Sequence, residues 1–103
     1  MFDINKRYIT RGIQQRLSHE LTLYLWLLID KTINSALEMD YLQVFKFAKT
    51  DDNQLAIGLG QEQPPRTIMV QIPMKPEYES ILGETIFVID DGDHSTMLFA
   101  DEY

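Results

Sequence analysis

The segment Ser18 to Glu38, SHELTLYLWLLIDKTINSALE, is the one stretch long and periodic enough to impose a secondary structure on its surroundings. Its spacing predicts a helix. Ser18 can accept a backbone N–H of the first turn as N-cap, and Glu20 sets a carboxylate at the positive end of the helix dipole. The far end is softer, since Asn34-Ser35 and Glu38-Met39-Asp40 weaken helix propensity without a Gly or Pro stop. At about 100° per residue, Leu21, Leu25, Leu28, Ile29, Thr32, Ile33 and Ala36 gather on one arc, opposite Asp30, Lys31, Asn34 and Glu38. Leu23 and Leu27 fall among the polar residues, with Trp26 and Leu37 at the edge of the core arc. This surplus stripe needs a cover, either another layer of the chain or a subunit or partner contact through Leu23, Trp26 and Leu27. The apolar run Leu21 to Ile29 is bracketed by Glu20 and Asp30 and is too short to cross a membrane.

The remaining segments alternate as strands do. Lys6 to Ile13 reads as a short strand that Gly12 bends or ends. Tyr41 to Lys49 is rich in aromatic and β-branched residues and carries apolar groups on both faces. After the polar turn Thr50 to Asn53, the segment Gln54 to Gln61 sets Leu55, Ile57 and Leu59 on one face and Ala56, Gly58 and Gly60 on the other. That small face permits close approach of the helix, another backbone or a ligand, and close packing is the simplest of these. Pro64-Pro65 interrupts pairing, Arg66 to Ile72 resumes it, and Glu77 to Leu82 can form one helical turn. Glu84 to Asp90 and Ser95 to Asp101 are joined by Asp91-Gly92-Asp93-His94, a hairpin signal. The order is β-α-β-β-β-β-β: an α+β fold in one domain, residues 1–103, with the helix of residues 18–38 on a curved, mostly antiparallel sheet.

With 103 residues, 45% of them hydrophobic, the chain can bury one core. It has no cysteine, which excludes disulfides, thiolate zinc sites and cysteine nucleophiles. No signal-peptide run opens the sequence and nothing resembles a membrane span, so a cytoplasmic protein is expected. A formal charge of −7 disfavours broad nucleic-acid binding. Lys6, Arg7, Arg11 and Arg16 stand near one end, and a run of carboxylates without Lys or Arg follows Glu77. Either the two ends lie side by side and compensate, or a basic patch meets an anionic partner.

Asp90, Asp91, Asp93 and His94, with Asp101 and Glu102 nearby, are the candidate ligands for a divalent metal. The spacing does not match an EF-hand, and Asp and Gly are also what a tight turn uses, so a solvated hairpin is the simpler expectation. His19 and His94 lack the partners of a catalytic motif, and Gly58-Leu59-Gly60 lacks the third glycine and following helix of a phosphate loop. No catalytic residue, cofactor or cofactor-binding residue is assigned.

Taken together, KRYITRGI at Lys6 to Ile13, LWLLID at Leu25 to Asp30, DYLQVFKF at Asp40 to Phe47, GQEQP at Gly60 to Pro64 and FVIDDGDHSTMLFADEY at the end resemble a small Gram-positive bacterial family. It is the family catalogued as domain of unknown function 960. The resemblance covers nearly the whole chain. It implies a compact cytoplasmic protein of staphylococci and their relatives, with no catalytic residue to carry across.

Three functions are compatible with these features. The first is a protein-interaction or regulatory module that pairs with itself as a homodimer, or with an unknown protein partner, through Leu23 and Leu27. The second is an enzyme or small-ligand binder with a pocket between helix and sheet, lined by Tyr24, Phe45 or Phe47, with Gln61, Glu62 and Gln63 at its mouth. The third is an acidic mimic of nucleic acid built on Asp90, Asp91, Asp93, Asp101 and Glu102, which requires those carboxylates in one array.

Overall fold

A computed structural model describes residues 1–35 and 38–103. The elements run β1 (Arg7–Ile9), α1 (Arg11–Arg16), α2 (His19–Ile33), β2 (Leu42–Lys49), β3 (Gln54–Gln61), β4 (Arg66–Pro73), a 3-10 helix (Pro76–Ile81), β5 (Thr85–Asp90), β6 (Ser95–Phe99) and a 3-10 turn (Ala100–Glu102). The strands form one open sheet in the order β1-β6-β5-β2-β3-β4. Neighbouring strands are antiparallel except β1, which runs parallel to β6. This is the expected α+β arrangement of one main helix on a mostly antiparallel sheet.

α2 begins where its sequence dictates: Ser18 Oγ accepts from Leu21 N–H at 3.1 Å. Its regular bonding stops at Ile33, short of the expected Glu38. Asn34 is the C-cap, its N–H donating to Asp30 O, and the Ser35 hydroxyl turns back to Thr32 O. The Ser35 side chain thus spends its hydrogen on the last turn instead of extending it. Ala36 and Leu37, assigned above to the core arc and its edge, lie outside the described residues.

The expected strand Lys6 to Ile13 divides in two. Only Arg7 to Ile9 pairs with β6, and Thr10 then caps a new helix, its Oγ1 accepting from Ile13 N–H at 3.3 Å. α1 turns Ile13 and Leu17 into the core. The strand alternation of Ile9 and Ile13 is thus also an i, i+4 spacing, and Ile13 is buried because it is helical.

Alternation along the sheet separates its faces. Phe45, Phe47, Leu55, Ile57, Leu59, Ile86, Val88, Met97 and Phe99 point to the helices and pack with Leu21, Leu25, Leu28 and Ile29 of α2 in one hydrophobic cluster. Leu42, Val44, Gly58, Gly60, Met69 and Phe87 belong to the opposite face by register. Of the approaches that the small face of β3 permits, it is not the helix that takes it. α2 packs on the large side chains, because they supply the apolar area that burial requires.

The two ends of the chain compensate each other. Arg16 reaches Glu84 at 2.8 Å and Asp101 at 3.4 Å, and its guanidinium lies 3.9 Å from the Phe99 ring centroid. Hydrogen bonding to Glu84 holds the Arg16 pKa above its ordinary value. No helix among the described residues is long and apolar enough to cross a membrane.

Candidate functional site

The surplus stripe of α2 is open to solvent in the isolated chain. Leu23 is 55% exposed and Leu27 44%. They form one wall of a groove of about 530 Å³, completed by Tyr24, Ile72, Pro73 and Tyr78. One helical turn separates Leu23 from Leu27, so both lean the same way, and β4 supplies the facing wall. The Lys75 ammonium crosses the end of the groove to both Glu20 carboxylate oxygens, at 2.9 and 3.0 Å. That hydrogen bond raises the Lys75 pKa, while burial raises that of Tyr78.

Trp26 does not share the stripe. It is 8% exposed, and the Arg7 guanidinium lies over its ring at 4.7 Å while also binding the Asp30 carboxylate and Phe2 O. The helical wheel sets Trp26 at the border of the core arc, and it is Arg7, arriving from β1, that covers it. The expected contact of Leu23, Trp26 and Leu27 thus reduces to the two leucines.

A pocket between helix and sheet exists, lined by Tyr24 as expected but not by Phe45 or Phe47. Phe45 and Phe47 are 0% and 4% exposed, closed under α2. The open part is a cleft of about 200 Å³ toward the β4 edge, where Tyr24, Leu28 and Thr32 face Ile57, Leu59, Ile68 and Val70.

Gln61 is not at a mouth. Its Oε1 accepts from Gln43 Nε2 at 2.7 Å, Arg66 Nη2 at 2.7 Å and Asp40 N–H at 3.1 Å. Its Nε2 donates to Glu38 O at 3.0 Å and Pro64 O at 2.9 Å. This buried side chain therefore ties the start of β2 to the β3–β4 turn, while Glu62 and Gln63 remain exposed.

A second groove, about 390 Å³, lies on the face of the sheet away from the helices. Gly58 and Gly60 form its floor, Val44 and Met69 its apolar sides, and Asp40, Tyr41, Lys46 and Glu62 its rim. A Cβ at residue 60 would meet nothing closer than Arg66 O at 3.6 Å, so the missing side chain is what makes the space. This groove was missed in the sequence, although the shared parity of Val44, Gly58, Gly60 and Met69 across the strand register encodes it.

The acidic hairpin spends its carboxylates on the turn itself. Asp91 Oδ1 accepts from Asp93 N–H at 3.0 Å and His94 N–H at 2.9 Å, which hold the Asp91 carboxyl below the usual range, the His94 bond foremost. Asp90 accepts from Gly92 N–H and Phe2 N–H. His94 Nε2 stands 3.3 Å from Asp91 Oδ2, and its ring meets Tyr8 edge-on at 5.0 Å. Asp93 only borders the shallow cavity beside Lys6. Among the described residues, no group of three or more His, Asp or Glu side chains converges as a ligand set.

Asp101 and Glu102 stand at the other end of β6 from this turn, bound to Arg16 and to α1. The five carboxylates therefore divide into two groups and do not form one array.

Comparison with known proteins agrees with this architecture. A crystal structure of a protein of unknown function from Enterococcus faecalis is similar over 99% of this chain and 94% of that one, with a TM-score of 0.82 and 25% sequence identity. No curated protein matches the sequence. The model of the family described as staphylococcal protein of unknown function, DUF960, matches residues 6–102, and the chain therefore belongs to that family.

Proposed function

We propose that this protein is a small cytoplasmic interaction module that associates with a second copy of itself through the groove beside α2. The observation that carries this reading is the pair Leu23 and Leu27, standing in solvent against Ile72 and Pro73 while Leu21, Leu25, Trp26, Leu28 and Ile29 of the same helix are buried. Covering a leucine contributes about 1.5–3 kcal/mol before the entropy of association is subtracted, enough for a modest dimer. Sedimentation of the purified chain up to several hundred micromolar tests it. Leu27→Glu should yield a folded monomer, because the side chain is already half in water. A wild-type protein that stays monomeric across the range overturns the reading, and unfolding of Leu27→Glu would assign the stripe to the domain's own stability.

A second reading, small-ligand binding, is favoured by the glycine-floored groove on the outer face. Its apolar floor and its rim of both charge signs suit a small amphiphilic molecule. A thermal-shift panel of metabolites, nucleotides and divalent ions tests it, since a ligand that binds only the native state raises the melting temperature.

A further inference from the structure

We propose that β4 is the pairing strand of the homodimer, aligning antiparallel with β4 of a second copy about a two-fold axis at Met69, so that two six-stranded sheets become one. The proposal deepens the self-association reading above and rests on it.

β4 is the last strand of the sheet and pairs on one side only. Met74 N–H donates to Asn53 O at 3.2 Å, and the register carries this alternation through β4. Ile72, Val70 and Ile68 therefore exchange their hydrogen bonds with Leu55, Ile57 and Leu59. Thr67, Met69 and Gln71 turn their N–H and C=O groups to the open side. Pro73 occupies an outward position as well, where its missing N–H takes nothing from the β3 ladder.

Exposed edges are ordinarily blunted by lysine, a bulge or a short strand. β4 is eight residues long, with an unbroken register, and no side chain from Thr67 to Met74 is ionisable. Two copies that each carry a formal charge of −7 can approach along this edge without opposing like charges on it.

The pattern fits a copy of itself. With Met69 opposite Met69, Thr67 faces Gln71 and Ile68 faces Val70, and both Pro65 and Pro73 fall outside the hydrogen-bonded ladder. Moving the axis one residue either way brings one of the prolines into a pairing position. In the Met69 register, the α2 clefts beside Ile68 and Val70 adjoin across the axis, and the exposed Leu27 stripes come to flank it. An edge about 27 Å long on a molecule 21 Å across its shortest axis offers ~550 Å² per copy, against ~800 Å² in a standard interface. The contact is smaller than a standard interface, so a weak dimer that dissociates on dilution is expected.

The chain has no cysteine, so cross-linking is unambiguous. Opposed residues of a hydrogen-bonded pair have Cα atoms about 5.5 Å apart, within disulfide reach. Met69→Cys should oxidise to a covalent dimer, whereas Gln71→Cys, about 14 Å from its own counterpart in this register, should not. Met69→Lys sets two ammonium groups together on the axis and should weaken the dimer at least tenfold, with the monomer's circular dichroism unchanged because Met69 is 62% exposed. A monomeric wild-type chain overturns both readings. A dimer that resists Met69→Lys, forms no Met69→Cys cross-link and yet dissociates on Leu27→Glu overturns strand pairing alone. It would leave the helix groove as the contact.

Discussion

Gly12 N–H donates to Glu102 Oε2 at 3.1 Å, and a Cβ at residue 12 would stand 2.5 Å from that carboxyl group. The first turn of α1 is thus held by a carboxylate from the opposite end of the sequence, which also accepts from the Thr10 hydroxyl at 2.7 Å and Phe99 N–H at 2.9 Å. Gly12→Ala gains about 1 kcal/mol of helix propensity. It also evicts the carboxylate, and charged hydrogen bonds contribute more, about 1.5–3 kcal/mol. The expected net effect is destabilisation. In a Glu102→Ala background the same substitution should become stabilising by about 1 kcal/mol, and denaturant unfolding of the four proteins in the cycle reads this reversal of sign.

The pH dependence follows from the same carboxylate. Burial pushes the Glu102 carboxyl up, but the Phe99 N–H, the Thr10 hydroxyl and the Gly12 N–H outweigh it and hold the group below its ordinary value. Asp91 is lowered too, by the N–H groups of His94 and Asp93. With the folded value below the unfolded one, the stabilisation is complete above the ordinary carboxylate range. It is lost as pH falls through the folded value, below about pH 4. The stability gap between wild type and Glu102→Gln should be widest near neutrality and should narrow on acidification below the ordinary carboxylate range. An equal gap at both ends would assign the effect to uncharged hydrogen bonding.

Gln61→Leu should be among the most damaging single changes in the chain. It leaves Arg66 Nη2 and Asp40 N–H without this acceptor and Gln43 Nε2 with Asp40 O alone, and a buried donor left unpaired costs about 1–3 kcal/mol. Expected is a loss of about 3 kcal/mol, a fall in Tm of roughly 15 °C by calorimetry. Gln61→Glu keeps the acceptor but turns a carboxylate oxygen toward Glu38 O and Pro64 O in place of a donor, so it should destabilise as well, and more at neutral pH than in acid.

Trp26, the single tryptophan, reports on its own cover. Arg7→Ala removes the guanidinium from the ring and the ion pair from Asp30, and should destabilise by ~2 kcal/mol. It should also shift the fluorescence emission to longer wavelength as water reaches the indole. Unchanged emission would mean that neighbouring side chains, not Arg7, keep the ring dry.

Gly60→Val tests the outer groove without disturbing the core. A Cβ there has only ordinary contacts, and β-branched residues suit strands, so stability should change by no more than about 0.5 kcal/mol. Any ligand-induced thermal shift traced to this face should disappear, since the branched side chain occupies the floor.

The elements legible in the sequence are those whose cause is local. Ser18 marks the start of α2 because an N-cap bond spans three residues, and the β5–β6 hairpin is marked by Asp-Gly at its turn. What escaped depends on partners distant in sequence. Gly12 looks like a strand breaker until Glu102 is seen to occupy the space its absent side chain leaves. Trp26 sits on the border of the helical wheel, and only Arg7 decides its burial. Gln61 has the composition of an exposed strand end and becomes a hub because Gln43, one strand away, shares its face. The small face of β3 was legible as small, but which face the helix would take rested on the large residues opposite.

The parallel pairing of β1 with β6 has a consequence for synthesis of the chain. Arg7 finds Ser95 only after roughly ninety intervening residues have left the ribosome, whereas β2, β3 and β4 form consecutive hairpins. The partners of β1 and of the basic α1 thus lie far along the sequence: β1 pairs with Ser95 to Met97, and Arg16 meets Glu84 and Asp101. β1 has no place in the sheet until β6, Ser95–Phe99, has been made.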